Sequence, residues 1–202
     1  AVSYVQVNGR TKLAIGGQIS DYIPDPTFGH VAAPGKLVDW FSGNNPDGMT
    51  MRECMGKPIA PPNSWRTGEE RLKELDEQGL TGTLMFPTLV SAVEERMGQY
   101  DIKAMCAIMH SLNQWMLEEW KFNLDNRIFT APVISLADID WAVKELEWAI
   151  ENGAKTVLVR PAPVPGIAGS RSPGFEEFDP FWARANEAGI TVVVHASDSG
   201  YT

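Results

Sequence analysis

The chain has 202 residues, 44% hydrophobic and 21% charged, which is enough for one ordinary globular domain. No stretch approaches the roughly 18 consecutive apolar residues of a membrane span, so we expect a soluble protein. The 26 acidic residues outnumber the 17 basic ones, and the formal net charge of -9 disfavours nucleic acid and acidic membrane surfaces as partners. The N-terminus lacks a signal-peptide pattern, and Cys54 and Cys106 are far apart, so we expect free thiols and a cytoplasmic protein.

Residues 1–64 form the first of two predicted regions. Val5-Gln6-Val7 and Leu13-Ala14-Ile15 flank the turn pair Asn8-Gly9, a pattern that is typical of a β-hairpin. Residues 24–62, called the excursion below, are rich in Pro, Gly, Asn and Met and predict a long irregular insertion with one short helix near Leu37–Phe41.

Residues 65–202 form the second region, in which four helical patterns alternate with four apolar runs. The predicted helices are Glu69–Gln78, Asp101–Trp120, Asp138–Asn152 and Asp179–Ala188, the last with Asp179 as its cap and Pro180 in its first turn. The predicted strands are Thr81–Pro87, Arg127–Ile134, Lys155–Arg160 and Ile190–His195. These runs are almost continuously apolar, as strands of a parallel sheet covered by helices must be.

Successive βα units build either an open doubly wound sheet or a closed eight-stranded barrel. No Gly-rich phosphate-binding turn follows any of the four runs, which disfavours a nucleotide-binding sheet. We therefore predict an α/β fold, a partial (β/α)8 TIM-like barrel of about four βα units, with an N-terminal hairpin and a long irregular insertion. Four strands cannot close such a barrel, and both ends of the sequence look cut, so we expect about half of a barrel.

Active sites of parallel α/β proteins lie at the carboxyl ends of the strands. His195 directly follows the last run and is a candidate metal ligand, although a structural histidine is equally compatible with that position. Arg160 ends the preceding run and could hold a substrate carboxylate, or pair with Asp198 or Glu187 as scaffolding. Asp198 is a candidate proton shuttle or partner of His195, the alternative being a turn residue.

Other chemistry-bearing residues are interpreted as structural. Asn113 lies on the apolar stripe of its helix, where a buried amide must find partners. His30 lies in the excursion, and His110 has no Asp, Glu or Cys at ligand spacing. No GxSxG motif or Cys–His pattern supports a serine or cysteine nucleophile. The tryptophans that we assign to packing are Trp65, Trp115, Trp120, Trp141, Trp148 and Trp182.

Several short segments in residues 65–202 carry a family resemblance. They are Leu75-Asp76-Glu77-Gln78-Gly79, Phe86-Pro87-Thr88, Asn113 with Trp115, Arg127-Ile128-Phe129 with Ala131-Pro132, Gly153-Ala154 with Arg160-Pro161, and Phe178-Asp179-Pro180-Phe181-Trp182 with Glu187-Ala188-Gly189 through His195. Together they resemble the amidohydrolase-related family, amidohydrolase family 2, which includes metal-dependent hydrolases and decarboxylases such as aminocarboxymuconate semialdehyde decarboxylase.

The resemblance implies a distorted (β/α)8 barrel that binds one divalent metal ion, zinc or manganese, and performs hydrolysis, hydration or non-oxidative decarboxylation. His195 matches the histidine that ends the family's fifth strand and ligates the metal. The family's first-strand ligands and its eighth-strand aspartate have no match in the sequence. Since one histidine cannot hold the ion tightly, we expect this chain to be inactive by itself.

We therefore predict a metal-dependent hydrolase or non-oxidative decarboxylase for a small carboxylate-containing substrate, aromatic substrates included. His195 is the predicted metal ligand, and Arg160 and Asp198 are the predicted catalytic residues. The alternative is a non-catalytic fragment or an interaction module held together by homo-oligomeric contacts of the hairpin and the excursion. In either case we expect a homo-oligomer.

Overall fold

The computed structural model describes residues 2–20, 26–87, 89–98, 100–166 and 169–195. It begins with the predicted hairpin, formed by the antiparallel strands β1 (Val2–Val7) and β2 (Arg10–Ile15). Asn8 and Gly9 have φ values of 50° and 74°, the left-handed conformation that a two-residue hairpin turn requires. A two-residue strand, β3 (Gln18–Ile19), pairs with β2.

The excursion contains two short helices, α1 (Val38–Phe41) and α2 (Met51–Met55). The first agrees with the sequence prediction, whereas α2 was not predicted. Its signal is a capping box, in which Thr50 Oγ1 accepts from Glu53 N–H and Glu53 Oε2 accepts from Thr50 N–H at 2.7 Å. A single antiparallel bridge joins Val31 to Ile59.

Next come α3 (Gly68–Glu77), β4 (Thr83–Met85), α4 (Leu89–Met97) and α5 (Ile102–Trp120). The sequence analysis missed α4, although Val90, Val93 and Met97 are buried at helical spacing. The predicted cap of α5 is confirmed, because Asp101 Oδ1 accepts from Ala104 N–H at 2.9 Å.

A tight antiparallel hairpin follows, formed by β5 (Asn123–Leu124) and β6 (Ile128–Thr130). The prediction of one strand over Arg127–Ile134 was wrong, because β6 ends at Thr130. The physical reason is Pro132, whose nitrogen carries no hydrogen for a strand ladder.

The remaining elements are α6 (Ile139–Glu151), β7 (Thr156–Val159), α7 (Asp179–Glu187) and β8 (Thr191–Val194). The prediction that Asp179 caps α7 was wrong. Phe178 occupies the cap position without a side-chain hydrogen bond, and Asp179 and Pro180 lie in the first turn of the helix.

The parallel strands lie side by side in chain order. β4 pairs with β6, and β7 pairs with β8. Between these pairs, Val133 forms a parallel bridge with Leu158 of β7, where Ile134 N–H donates to Leu158 O and Leu158 N–H donates to Pro132 O, both at 2.9 Å. The predicted βα units are therefore present in this part of the chain.

Two apolar clusters form the core. The first lies among β7, α6 and α7 and includes Phe122, Ile134, Leu146, Val157, Phe178 and Phe181. The second joins the hairpin to α4 and α5 and includes Leu13, Ile15, Val93, Met105, Met109 and Leu158. Among the described residues, no helix is both long enough and apolar enough to cross a membrane.

Candidate functional site

The carboxyl ends of β4, β7 and β8 present Phe86, Arg160 and His195. His195 follows β8 directly and is half-buried. Its imidazole lies against the ring of Phe86, with 5.2 Å between ring centroids and 50° between the planes. The structure thus brings the predicted metal ligand against a residue of the Phe86-Pro87-Thr88 segment. Thr88 and the predicted catalytic residue Asp198 lie outside the described residues.

A cavity of about 590 Å³ opens at the ends of β7 and β8. Arg160 lies in its wall, together with Ile134, Val159 and Val194 from the strands and strand ends. This volume falls within the roughly 300 to 1,000 Å³ of small-molecule sites. Arg160 thus lies in the wall of a cavity at the strand ends, and its role in binding a carboxylate stays a prediction.

Glu94 also lines this cavity, and the sequence analysis did not single it out. It is buried on α4, and Ser135 Oγ donates to its Oε1 at 2.6 Å. Ser135 follows β6 and also accepts from Ala137 N–H at 3.2 Å, so the serine is held in place. The sequence signal that could have singled out Glu94 is its place directly after Val93, beside the apolar positions Val90, Val93 and Met97.

The alternative partner proposed for Arg160, Glu187, has another cation close by. Glu187 Oε2 lies 3.6 Å from Arg184 Nη1. Arg184 also donates through Nε and Nη2 to Glu147 on α6, a two-point ion pair that ties α7 to α6. The hydrogen bond from Arg184 lowers the pKa of Glu147 and raises the pKa of Arg184.

Asn113 on α5 is fully buried and bonds both backbone groups of Val133. Val133 N–H donates to Asn113 Oδ1, and Asn113 Nδ2 donates to Val133 O, each at 2.9 Å. The same Nδ2 donates to Glu145 Oε1 at 2.9 Å, and Glu145 Oε2 lies 2.8 Å from His110 Nδ1. Asn113 is structural, as predicted. The acidic partner of His110 is not at ligand spacing in the sequence and comes from α6, 35 residues away.

A second cavity, of about 410 Å³, lies between α5, the end of β4 and the excursion. Trp65, Trp115 and Trp120 line it, and Trp115 is 53% exposed. The assignment of tryptophans to packing is therefore incomplete for Trp115, although Trp148 packs edge-on against Phe122 in the core.

The described residues do not fit a resident metal ion by themselves. No group of three or more His, Cys, Asp or Glu side chains in this part of the chain could hold one. Catalytic zinc sites use about three protein ligands and a water, so His195 supplies one candidate ligand at most.

The chain is similar in sequence and in structure to known amidohydrolases. A family model described as Amidohydrolase matches residues 30–202. The crystal structure of an amidohydrolase from Mycobacterium avium subsp. paratuberculosis K-10 is 40% identical with a TM-score of 0.91, covering 99% of this chain and 52% of that one. No curated protein matches the chain.

More distant structures share the fold alone. The crystal structure of 2,6-dihydroxybenzoate decarboxylase from Rhizobium is 18% identical with a TM-score of 0.53, covering 85% of this chain and 49% of that one. The same enzyme type complexed with 2,6-dihydroxybenzoate is 19% identical with a TM-score of 0.51, at the same coverage. The chain thus spans about half the length of the solved structures that it matches.

Proposed function

The chain belongs to the amidohydrolase family, and from this premise we propose that it supplies part of the active site of a hydrolase or non-oxidative decarboxylase for a small carboxylate-containing substrate. The observation that carries the proposal is the cavity of about 590 Å³ at the carboxyl ends of β7 and β8, with Arg160 in its wall and His195 directly after β8. Strand ends are where parallel α/β enzymes hold their substrates.

In this proposal β4, β6, β7 and β8 are successive strands of a (β/α)8 barrel. Their parallel pairing in chain order supports it, as does the family's fold. The cavity then faces the mouth of the barrel, and the loops after each strand supply its walls.

Arg160 binds the substrate carboxylate. A guanidinium presents a planar fork of donors that matches the two oxygens of a carboxylate, and apolar walls strengthen those charge-assisted hydrogen bonds by excluding water. Ile134, Val159 and Val194 provide such walls. The bound carboxylate is thereby oriented toward the end of β8.

The reaction then follows one of two branches. In decarboxylation, the bond between the carboxylate carbon and its neighbouring substrate carbon breaks, carbon dioxide leaves, and a proton takes its place on that neighbouring carbon. In hydrolysis, water adds to a carbonyl carbon, the bond from that carbon to the leaving group breaks, and the leaving group takes up a proton. Asp198, three residues after His195, is the proposed proton donor or acceptor in either branch.

Family members typically use a divalent metal ion, which polarises oxygen atoms of a substrate or water. We assign His195 as this chain's ligand for that ion, with zinc the first choice and manganese the second. Since the described residues supply no complete donor set, we expect the 202-residue chain to bind metal weakly and to be inactive by itself.

Paramagnetic Mn²⁺ tests this assignment without requiring activity. Substoichiometric Mn²⁺ should broaden the imidazole NMR signals of His195 before those of the other histidines. His195→Ala should abolish this selective site, whereas His30→Ala, at an exposed histidine of the excursion, should leave it intact. Broadening that centres elsewhere, or that persists in His195→Ala, would remove His195 from the proposed metal site.

A further inference from the structure

The second cavity, of about 410 Å³, is lined by aromatic side chains from segments that are far apart in the sequence. Those with exposed surface are Phe28 in the excursion, Trp65 just after it, Phe86 after β4 and Trp115 on α5. Each of the four is between 37% and 54% exposed, although large aromatic side chains are well buried on average. Aromatic surface from four separate segments therefore converges on one cavity, unlike the apolar stripe of a single helix.

The rest of the cavity wall includes buried side chains. Val90, Met116, Trp120 and Thr130 line the cavity and are at most 7% exposed. Met116 belongs to the first core cluster, and Val90 belongs to the second. Packed cores hold their side chains in fixed positions. The cavity is therefore a pre-formed feature that rests on the core of the protein.

The wall of this cavity offers no counter-ion. No charged side chain lies among the described residues that line it. Besides the indole N–H groups, the polar side-chain group in this part of the wall is the hydroxyl of Thr130, which already donates to Lys121 O at 2.5 Å. An ion would lose its hydration here without gaining an ion pair, whereas a neutral apolar molecule has little hydration to lose.

The second cavity is distinct from the strand-end cavity. The two have no described lining residue in common. They are nevertheless close to the same candidate metal ligand, because Phe86 lines the second cavity and its ring lies 5.2 Å from the imidazole of His195. Arg160 lies in the wall of the strand-end cavity only.

We infer that the second cavity binds a small, flat, neutral molecule with an aromatic ring, at a site separate from the one proposed for the substrate carboxylate. Its volume falls within the roughly 300 to 1,000 Å³ of small-molecule sites. Aromatic walls favour a ring as the occupant, since offset and edge-to-face contacts add to the gain from apolar burial. The inference is independent of the proposed function, because it uses neither Arg160 nor a metal ion.

Benzyl alcohol, benzoate and benzylammonium are matched probes, because they share a ring and differ in charge. In NMR titrations of the EDTA-treated chain, the indole N–H signal of Trp115 should shift with benzyl alcohol. At this signal, the affinity for benzyl alcohol should be about tenfold or more above that for either ion. Trp182 lines the strand-end cavity, so its indole signal measures binding of benzoate near Arg160 separately.

Trp115→Ala should weaken benzyl alcohol binding about tenfold, as measured at the indole signals of Trp65 and Trp120, because it removes one ring from the wall. Trp115→Phe keeps a ring and should retain most of the affinity. Trp40→Ala is the matched control, since it makes the same change on α1, outside the described walls of both cavities.

The wild-type chain can overturn the inference without any variant. It is overturned if benzyl alcohol leaves the Trp115 signal unmoved, or if the neutral and charged probes bind equally at that signal. Tighter binding of benzylammonium would instead assign the aromatic wall to a cation. A Trp115 signal that moves on dilution without any probe would assign the cavity to a second copy of the chain, and equal effects of Trp115→Ala and Trp40→Ala would place the probe elsewhere.

Discussion

Cys106 lies on the buried face of α5 between the second core cluster and several acidic side chains. Burial, and to a smaller extent the nearby carboxylates of Asp138, Glu94 and Glu145, together raise the pKa of its thiol to about 12. Both effects disfavour the thiolate, so Cys106 is an apolar packing residue and not a nucleophile. The prediction of free thiols is confirmed for both cysteines.

This raised pKa makes stability depend on pH in a defined direction. The unfolded thiol loses its proton near its ordinary pKa, about 9, whereas the folded thiol keeps it to about 12. The contribution of Cys106 is therefore fully present below about pH 9 and is lost as the pH rises toward about 12. Urea unfolding at about pH 8 and about pH 10.5 should show a loss of about 2 kcal/mol that is absent in Cys106→Ala.

Cys54→Ala is the matched control for this experiment and should retain the loss. An identical pH dependence in the wild-type chain and in Cys106→Ala would show that the buried thiol does not contribute. Lysine and tyrosine residues also titrate in this range, and the comparison between the two alanine variants subtracts their effect.

At the scale of elements, the side chain of Asn113 on α5 makes the backbone hydrogen bonds beside Val133 that a neighbouring strand would otherwise make. β4 pairs with β6 only as far as Met85 and Thr130, and Ala131 N–H still donates to Met85 O at 3.1 Å. Two residues further on, the N–H and C=O of Val133 pair with the amide of Asn113. A carboxamide reproduces the donor and acceptor of a peptide group, so α5 completes the ladder at a point that β4 does not reach.

Asn113→Ala should therefore lower the free energy of unfolding by about 3 kcal/mol or more, because it leaves Val133 N–H, Val133 O and Glu145 without this partner in a buried place. Urea denaturation followed by circular dichroism measures the change. The adjacent Gln114 is exposed, and its amide nitrogen donates to Glu118 Oε1 at 2.9 Å, so Gln114→Ala should cost about 0.5 kcal/mol or less. Similar losses in the two variants would rule out the strand-substituting role of Asn113.

At the scale of the whole molecule, large apolar side chains remain exposed on the excursion. Phe41 on α1 is 73% exposed, and Phe28, Met49 and Met51 also lie at the surface. All four lie in the excursion, and a contiguous exposed apolar patch would mark an interaction surface. We propose that a second copy of this chain covers Phe41, the most exposed of the four, which would account for the expected homo-oligomer.

Sedimentation velocity tests this proposal. The wild-type chain should associate as its concentration rises, and Phe41→Ser should weaken the association about tenfold, because it removes one large buried apolar contact. Tyr100→Ser is the matched control, since Tyr100 is an aromatic residue that is 84% exposed and lies outside the excursion. A wild-type chain that stays monomeric at all concentrations would refute self-association, and equal effects of the two substitutions would place the contact elsewhere.

The sequence by itself determined the features that depend on neighbouring residues. The hairpin turn at Asn8-Gly9 needs left-handed φ values that these residues adopt at little cost, and Asp101 caps α5 by accepting from the N–H three residues along the chain. The apolar runs predicted parallel strands because burial on both faces leaves no alternation. The resemblance to amidohydrolases, confirmed by the family match and by the relative at 40% identity, also came from local segments.

Only the tertiary structure decided which distant side chains meet. Glu145 reaches His110 and Asn113 across 35 and 32 residues, and Ser135 reaches Glu94 across 41, because packing of α4, α5 and α6 sets these contacts. Likewise, Arg171 joins Arg160 at one cavity only because the loop after β7 folds back through its bridge to Val164. Spacing along the chain carries no information about such pairs, since their distances depend on how whole elements bury their apolar faces.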